Sequence, residues 1–249
     1  MSKRRLHVPW RKPLANPISQ CIDSEQWDQV IGLAQSKPEL VKHWTERSGF
    51  FEGIRPANVL PIHEACANES VPVAAIEALI QAYPESIKVD ESAYHRLPLH
   101  IACRKTANIS VVRYLLEGYA NACLEPDALG RLPIHYAISN GANDDVVHLL
   151  LKYNPNSARG VDRKGWTPLH VACSIGASTR ICTELLELYP EASVLCTQKG
   201  TSAVQCLRSQ CAANKPEVAA LLQRYQEKVK AESPRHAEQA TDLTHHVIV

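Results

Sequence analysis

The 249-residue sequence has almost no net charge: 27 Lys and Arg stand against 26 Asp and Glu, a formal charge of +1. That balance argues against general affinity for polyanions or membrane surfaces, so only the local placement of charge can matter. No apolar run is long enough to span a bilayer and no signal-peptide core is visible, so neither a membrane span nor a secretory route is expected. The ten glycines are scattered, and none belongs to a loop that would cradle phosphates. The nine cysteines, Cys21, Cys66, Cys103, Cys123, Cys173, Cys182, Cys196, Cys206 and Cys211, are odd in number and sit mostly within apolar helical patterns. They read as reduced thiols of a cytoplasmic or nuclear protein, not as a disulfide framework. Hydrophobic residues make up 45% of the chain, the usual material for a buried core.

What the sequence has is one short phrase, used repeatedly. Leu97-Pro98-Leu99-His100-Ile101-Ala102-Cys103 follows Leu60-Pro61-Ile62-His63-Glu64-Ala65-Cys66 and precedes Leu132-Pro133-Ile134-His135-Tyr136-Ala137-Ile138. Thr167-Pro168-Leu169-His170-Val171-Ala172-Cys173 comes next, then a decayed copy read as Thr201-Ser202-Ala203-Val204-Gln205-Cys206-Leu207. The intervals between first positions are 37, 35, 35 and 34 residues. A fixed period of that size marks a stacked array in which no unit can bury its apolar face alone.

Each unit parses physically. Proline opens a short first helix, where its missing N–H is no loss, and Gly141 or Gly176 closes that helix in the two most regular units. A second helix carries apolar residues three and four apart: Ile76-Leu79-Ile80, Val111-Val112-Leu115-Leu116, Val146-Val147-Leu150-Leu151, Ile181-Leu185-Leu186 and Val218-Leu221-Leu222. Tyr83-Pro84, Tyr153-Asn154-Pro155 and Tyr189-Pro190 end three of these helices.

The phrase and its surroundings resemble the ankyrin repeat, most closely in the fourth unit with Asp162, Gly165, Thr167-Pro168-Leu169-His170, Ala172, Gly176 and Leu185-Leu186. The third unit, from Asp127 and Gly130 to Leu149-Leu150, is nearly as close. The resemblance covers roughly residues 25–230 and implies an all-α, ankyrin-type solenoid of stacked helix-turn-helix repeats with hairpin-like loops. The expected organisation is a disordered basic segment at 1–22, a repeat domain at 23–230 and a flexible tail at 231–249. Within the domain we expect an N-terminal capping repeat at 23–54, repeats starting near 55, 92, 127 and 162, and a capping repeat at 196–230. The basic segment holds Lys3, Arg4, Arg5, Arg11 and Lys12 and no acid, which fits either a solvated tail or a targeting address. The terminal Val247-Ile248-Val249 offers an apolar end to a carboxylate-capturing groove.

Two chemical readings are weaker. His63, His100, His135 and His170, three of them followed by a cysteine at i+3, suggest metal ligation. Yet packed helices lie about 8–10 Å apart, whereas zinc holds ligands at about 2.0–2.3 Å, and the resemblance makes the motif histidine a structural hydrogen-bonder. A Cys–His hydrolase would need one privileged pair with an orienting partner, but the pair here is copied like a scaffold element. No enzyme activity, metal or cofactor is expected.

The resemblance places partner contacts at the hairpin tips and on the exposed face of the first helices. Those positions hold Tyr94, His95, Arg96, Arg104 and Lys105 in the second unit, and Leu129, Arg131, Ser139 and Asn140 in the third. The fourth contributes Arg163, Lys164, Trp166, Ser174 and Ile175, and the fifth Lys199 and Arg208. Eight are Arg or Lys and none is acidic, whereas Glu77, Glu117, Asp144, Asp145, Glu184 and Glu187 fall on the second helices. The expectation is a monomeric interaction module, an adaptor, scaffold or inhibitor, that binds an acidic peptide or protein on a basic concave face. Nucleic acid is the rival polyanion, disfavoured by the near-zero net charge and the lack of a groove-reading helix.

Overall fold

The computed structural model describes residues 16–50, 54–105, 108–141, 144–208 and 214–242, with side chains left aside at 105 and 233–242. The described residues form a stack of six helix pairs. The first helices are α1 (Pro17–Asp23), α3 (Pro61–Cys66), α5 (Pro98–Lys105), α7 (Pro133–Ser139), α9 (Pro168–Ile175) and α11 (Ala203–Arg208). The second helices are α2 (Trp27–Ser36), α4 (Val73–Ala82), α6 (Ile109–Gly118), α8 (Asp144–Tyr153), α10 (Thr179–Leu188) and α12 (Lys215–Asp242). Each first helix packs on the first helix of the next pair, and each second helix likewise, giving two parallel layers. One apolar core runs from Ile18 to Tyr225 between them.

The spacing of the second-helix stripe puts it on one face, and that face is where burial occurs. Val111, Val112, Leu115, Leu116, Val146, Val147, Leu150 and Leu186 are fully buried, with Leu151, Ile181 and Leu185 almost so. Fully burying each such side chain contributes about 1.5–3 kcal/mol. Only Ile80 and Leu221 of the expected stripe stay partly exposed. After each of α4, α6, α8 and α10 the chain makes a 3-10 turn, Pro84–Lys88, Ala120–Leu124, Pro155–Arg159 and Pro190–Ser193. The sequence signalled a helix stop at three of these places, after α4, α8 and α10. Tyr83, Tyr119 and Tyr189 adopt nearly the same extended φ, between −146° and −152°, at the junctions.

Two expected boundaries move. The described residues begin at Asn16, and where a disordered segment to residue 22 was expected, α1 is a complete first helix with Ile18 and Ile22 buried in the core. Asn16 caps it, accepting from the Ile18 amide at 3.1 Å, so Asn16-Pro17-Ile18-Ser19 is the repeat phrase with Ser in place of His. At the other end α12 continues past 230 to Asp242, so the tail expected from 231 starts as helix. Residues 1–15, with their basic cluster, and the terminal Val247-Ile248-Val249 lie outside the described residues. A short antiparallel hairpin, β1 (Thr45–Arg47) with β2 (Ala57–Val59), joins the capping pair to the first regular repeat.

The fifth unit also shifts register. Gly165 and Gly200 both adopt positive φ at the hairpin tip, 35 residues apart, which aligns Ser202 rather than Thr201 with Thr167. Ser202 Oγ then accepts from the Gln205 amide at 3.3 Å while Gln205 Oε1 accepts from the Ser202 amide at 2.8 Å. Gln205 thus replaces the motif histidine in a working capping box.

Candidate functional site

Three motif histidines are tied at both ends. Nδ1 of His63, His100 and His135 accepts from the amide three residues before it, of Leu60, Leu97 and Leu132, at 3.0, 3.1 and 3.0 Å. Nε2 therefore carries the proton and donates to a carbonyl of the following unit: Val89 at 2.9 Å, Arg131 at 3.1 Å and Trp166 at 3.2 Å. Burial holds these rings neutral, with His63 and His100 pushed down to about 4. His170 binds the Thr167 hydroxyl at 2.8 Å. The Leu195 and Thr201 carbonyls favour its charged form, yet Nε2 is buried without a hydrogen-bond partner among the described residues. Rings bound in this way have no lone pair to offer a metal, and among the described residues no three His, Cys, Asp or Glu converge on one point.

The thiols beside the histidines have the character of core residues. Burial pushes Cys66 and Cys103 well above the ordinary range and Cys123 up to about 11. Cys173 is raised by its hydrogen bond to Cys182, which lowers Cys182 in turn. Among the described residues neither thiol of that pair has an imidazole hydrogen-bonded to it as a base, the arrangement nucleophilic catalysis requires.

The hairpin tips are built by acids that the sequence reading left out of the contact face. Asp127 Oδ1 accepts from the Leu129 and Arg131 amides at 2.8 and 2.9 Å, and Asp162 Oδ1 from those of Lys164 and Trp166 at 2.8 and 2.9 Å. Glu91 does the same for Ala93 and Tyr94 at 2.7 and 3.0 Å. Successive tips are joined by one backbone bond each: Ser92 N–H to Asn58 C=O at 3.2 Å, Ala128 to Tyr94 at 2.7 Å, Arg163 to Leu129 at 2.9 Å and Gln198 to Lys164 at 3.0 Å. The tips therefore form a rigid edge to the face made by the first helices.

On that face the expected contact residues separate into three groups. Arg96 must be withdrawn from the exposed set: it is only 5% exposed, its Nε donates to the Tyr136 hydroxyl at 3.2 Å, and it lies 3.6 Å from Asp127. Its guanidinium also stacks 4.3 Å above the Tyr94 ring, which consumes Tyr94 as well. Arg131 is half-committed, 3.5 Å from Asp162 and over the Tyr136 ring. The face is accordingly a mixed one, since Asp127 and Asp162 sit among the arginines where no acid was expected. His95 is exposed at the second tip and holds Asp90 at 2.8 Å, and Arg104 and Asn140 are bridged by an Asn140 side-chain donation to the Arg104 carbonyl. The Lys105 side chain lies outside the described residues. Arg163 and Lys164 are exposed and enter no ion pair among the described residues; Leu129 and Ile175 are 37% and 39% exposed.

The structure brings several of these together in one place. A cleft of about 250 Å³ opens between α7 and α9, lined by Arg131, Ser139, Lys164, Trp166, Ser174 and Ile175 from the expected set, and by His135, Asp162 and Val171. The positions that follow the motif histidine are Glu64, Ile101, Tyr136 and Val171, and their side chains differ in size and polarity. Tyr136 is fully buried and fills the space under Arg96, its hydroxyl donating to Asp127 at 2.5 Å. Val171 leaves the corresponding space empty. A cleft in the equivalent place between α1 and α3, about 310 Å³, is occupied at its wall by an ion triad. Arg47 there bridges Glu64 at 2.6 Å and Asp23 at 2.9 Å, while Ser19 donates to Glu64 at 2.6 Å. This motif position was visible in the sequence as the one that varies in size and polarity between copies.

Residues 108–198 match the family model described as ankyrin repeats (3 copies), which spans the end of the second unit, the third and the fourth. A comparison with curated proteins yields no match.

Proposed function

Starting from an ankyrin repeat protein, whose repeats serve in general as protein-interaction modules, we propose that this chain binds an acidic peptide or acidic protein surface across the face of its first helices and tips. The observation that carries this is the cleft between the third and fourth units. It combines Lys164 and Arg131 with Trp166 and Ile175, and the neighbouring Arg163 is exposed and without an ion-pair partner among the described residues. Arg and aromatic side chains dominate interface energetics, and complementary charge steers association and register. The proposed role is non-enzymatic: an adaptor, scaffold or inhibitor acting as a monomer in cytoplasm or nucleus, where buried reduced thiols are at home. No helix among the described residues is long and apolar enough to cross a membrane. Nucleic acid is the weaker polyanion, because a formal net charge of +1 offers little long-range attraction to a phosphate backbone.

The test is capture from cell extract by the wild-type protein and by an Arg163→Glu, Lys164→Glu variant whose circular dichroism is unchanged. Arg131 is left intact because it pairs with Asp162. Acidic proteins held by the first and lost by the second are the expected result; identical captured sets would place binding elsewhere.

A further inference from the structure

The cleft over Val171 has a shape that charge alone does not explain. In the third unit Tyr136 closes the equivalent space, and Ile101 is fully buried in the second. Over Val171 an opening of about 250 Å³ appears, and its walls include Trp166, Val171 and Ile175, whereas the cleft over Glu64 is lined by the Arg47, Asp23 and Glu64 ion triad. That volume lies below the roughly 300–1,000 Å³ of pockets that take a whole small ligand, so it suits a single side chain. The polar groups at its floor are already engaged: Asp162 by two amides and Arg131, and His135 by the Leu132 amide and the Trp166 carbonyl. Lys164 at the rim is exposed, with no ion pair among the described residues.

We propose that this cleft is a specificity pocket that takes one bulky apolar side chain of the bound segment, with an adjacent carboxylate of the same segment on Lys164. This rests on the acidic-ligand reading above and adds to it the residue class the ligand must carry. The occupant is thus an acidic segment interrupted by a Leu- or Phe-like residue, not a uniformly acidic run. Burying such a side chain out of water drives the preference, and the rim cation sets which residues flank it.

The test uses fluorescein-labelled peptides of Asp and Glu with one central Leu, Phe or Ser, read by fluorescence polarisation. Wild-type protein is expected to bind the Leu or Phe peptide roughly tenfold more tightly than the Ser peptide, about 1.4 kcal/mol. Val171→Tyr, which installs the closure the third unit already uses, is expected to erase that preference while leaving Ser-peptide binding within about twofold. Val171→Ala should keep it. Should Val171→Tyr fail to fold, Ile175→Ser, at an exposed position, is expected to shrink the same preference. Equal binding of all three peptides by the wild type, abolished by Lys164→Glu, would overturn the pocket and leave the acidic-ligand reading standing. A preference that survives both Val171→Tyr and Ile175→Ser would overturn the pocket too. No binding of any peptide by the wild type would overturn the acidic-ligand reading and the pocket with it.

Discussion

At the scale of single residues, the motif histidines are structural, and their burial has a thermodynamic consequence. His63 and His100 titrate near 4 in the folded chain but near 6.5 when unfolded. Between those values the unfolded state binds more protons, so stability falls as pH falls from about 6.5 toward 4 and is flat in this respect above 6.5. Each ring contributes a slope of up to about 1.4 kcal/mol per pH unit inside that window. His135 and His170 are shifted the same way. Glu64, raised by burial, opposes them with a single proton. Urea melts at pH 7.5, 6.5, 5.5 and 4.5 should show midpoints that are steady between the first two and decline over the last two; a midpoint rising toward pH 4.5 would contradict the histidine assignment. That these histidines hydrogen-bond between turns was legible only through the resemblance to ankyrin repeats. The withdrawal of Arg96 was not, because it depends on Tyr136 and Asp127, which lie 40 and 31 residues away in sequence.

At the scale of elements, the hairpin tips are the least forgiving parts of the repeat. Gly165 holds φ +79°, and a Cβ there would stand 2.7 Å from the Gln198 amide nitrogen of the next tip. That nitrogen donates to Lys164 in the bond joining the two units, so Gly165→Ala strains the turn and separates the tips together. A cost of about 1–3 kcal/mol is expected, with Gly32→Ala as the counterpart. Gly32 lies inside α2 with nothing within 4 Å of an added Cβ, and there alanine should stabilise by about 0.5–1 kcal/mol. Thermal melts of the two variants should move in opposite directions. The second tip solves the same geometric problem without glycine: His95 takes φ +55° and is held by Asp90. The six residues from Glu91 to Arg96, against five from Asp127 to Arg131, account for part of the longer 37-residue interval.

At the scale of the whole molecule, a stack is a chain of nearest-neighbour interfaces, and its ends must be covered. The N-terminal cover is α1, whose Ile18 and Ile22 pack on the core while Asn16 Nδ2 donates to the Leu40 carbonyl at 3.0 Å and Ser19 to Glu64 at 2.6 Å. Starting the chain at residue 24 removes all of these and exposes the face of α3. Two buried isoleucines at about 1.5–3 kcal/mol each predict a loss of about 3–6 kcal/mol in urea melts. An unchanged midpoint would return the domain boundary to residue 23. Among the described residues the first and last helix pairs each pack on one neighbouring pair, and these are the irregular units.

The sequence alone determined the period, the order of helix pairs and the apolar stripe of the second helices. All follow from local spacing repeated in register, which folding cannot rearrange without unburying every unit at once. Tertiary structure alone decided which surface cations stay uncommitted and which inter-repeat cleft stays open. Those outcomes depend on side chains some 31–40 residues apart, such as Arg96 with Tyr136 and Asp127, or Arg131 with Asp162, and on one motif position whose size matters only once two units are stacked. Charge counted along a chain says what is present; only the packed stack says which charges have already met a partner.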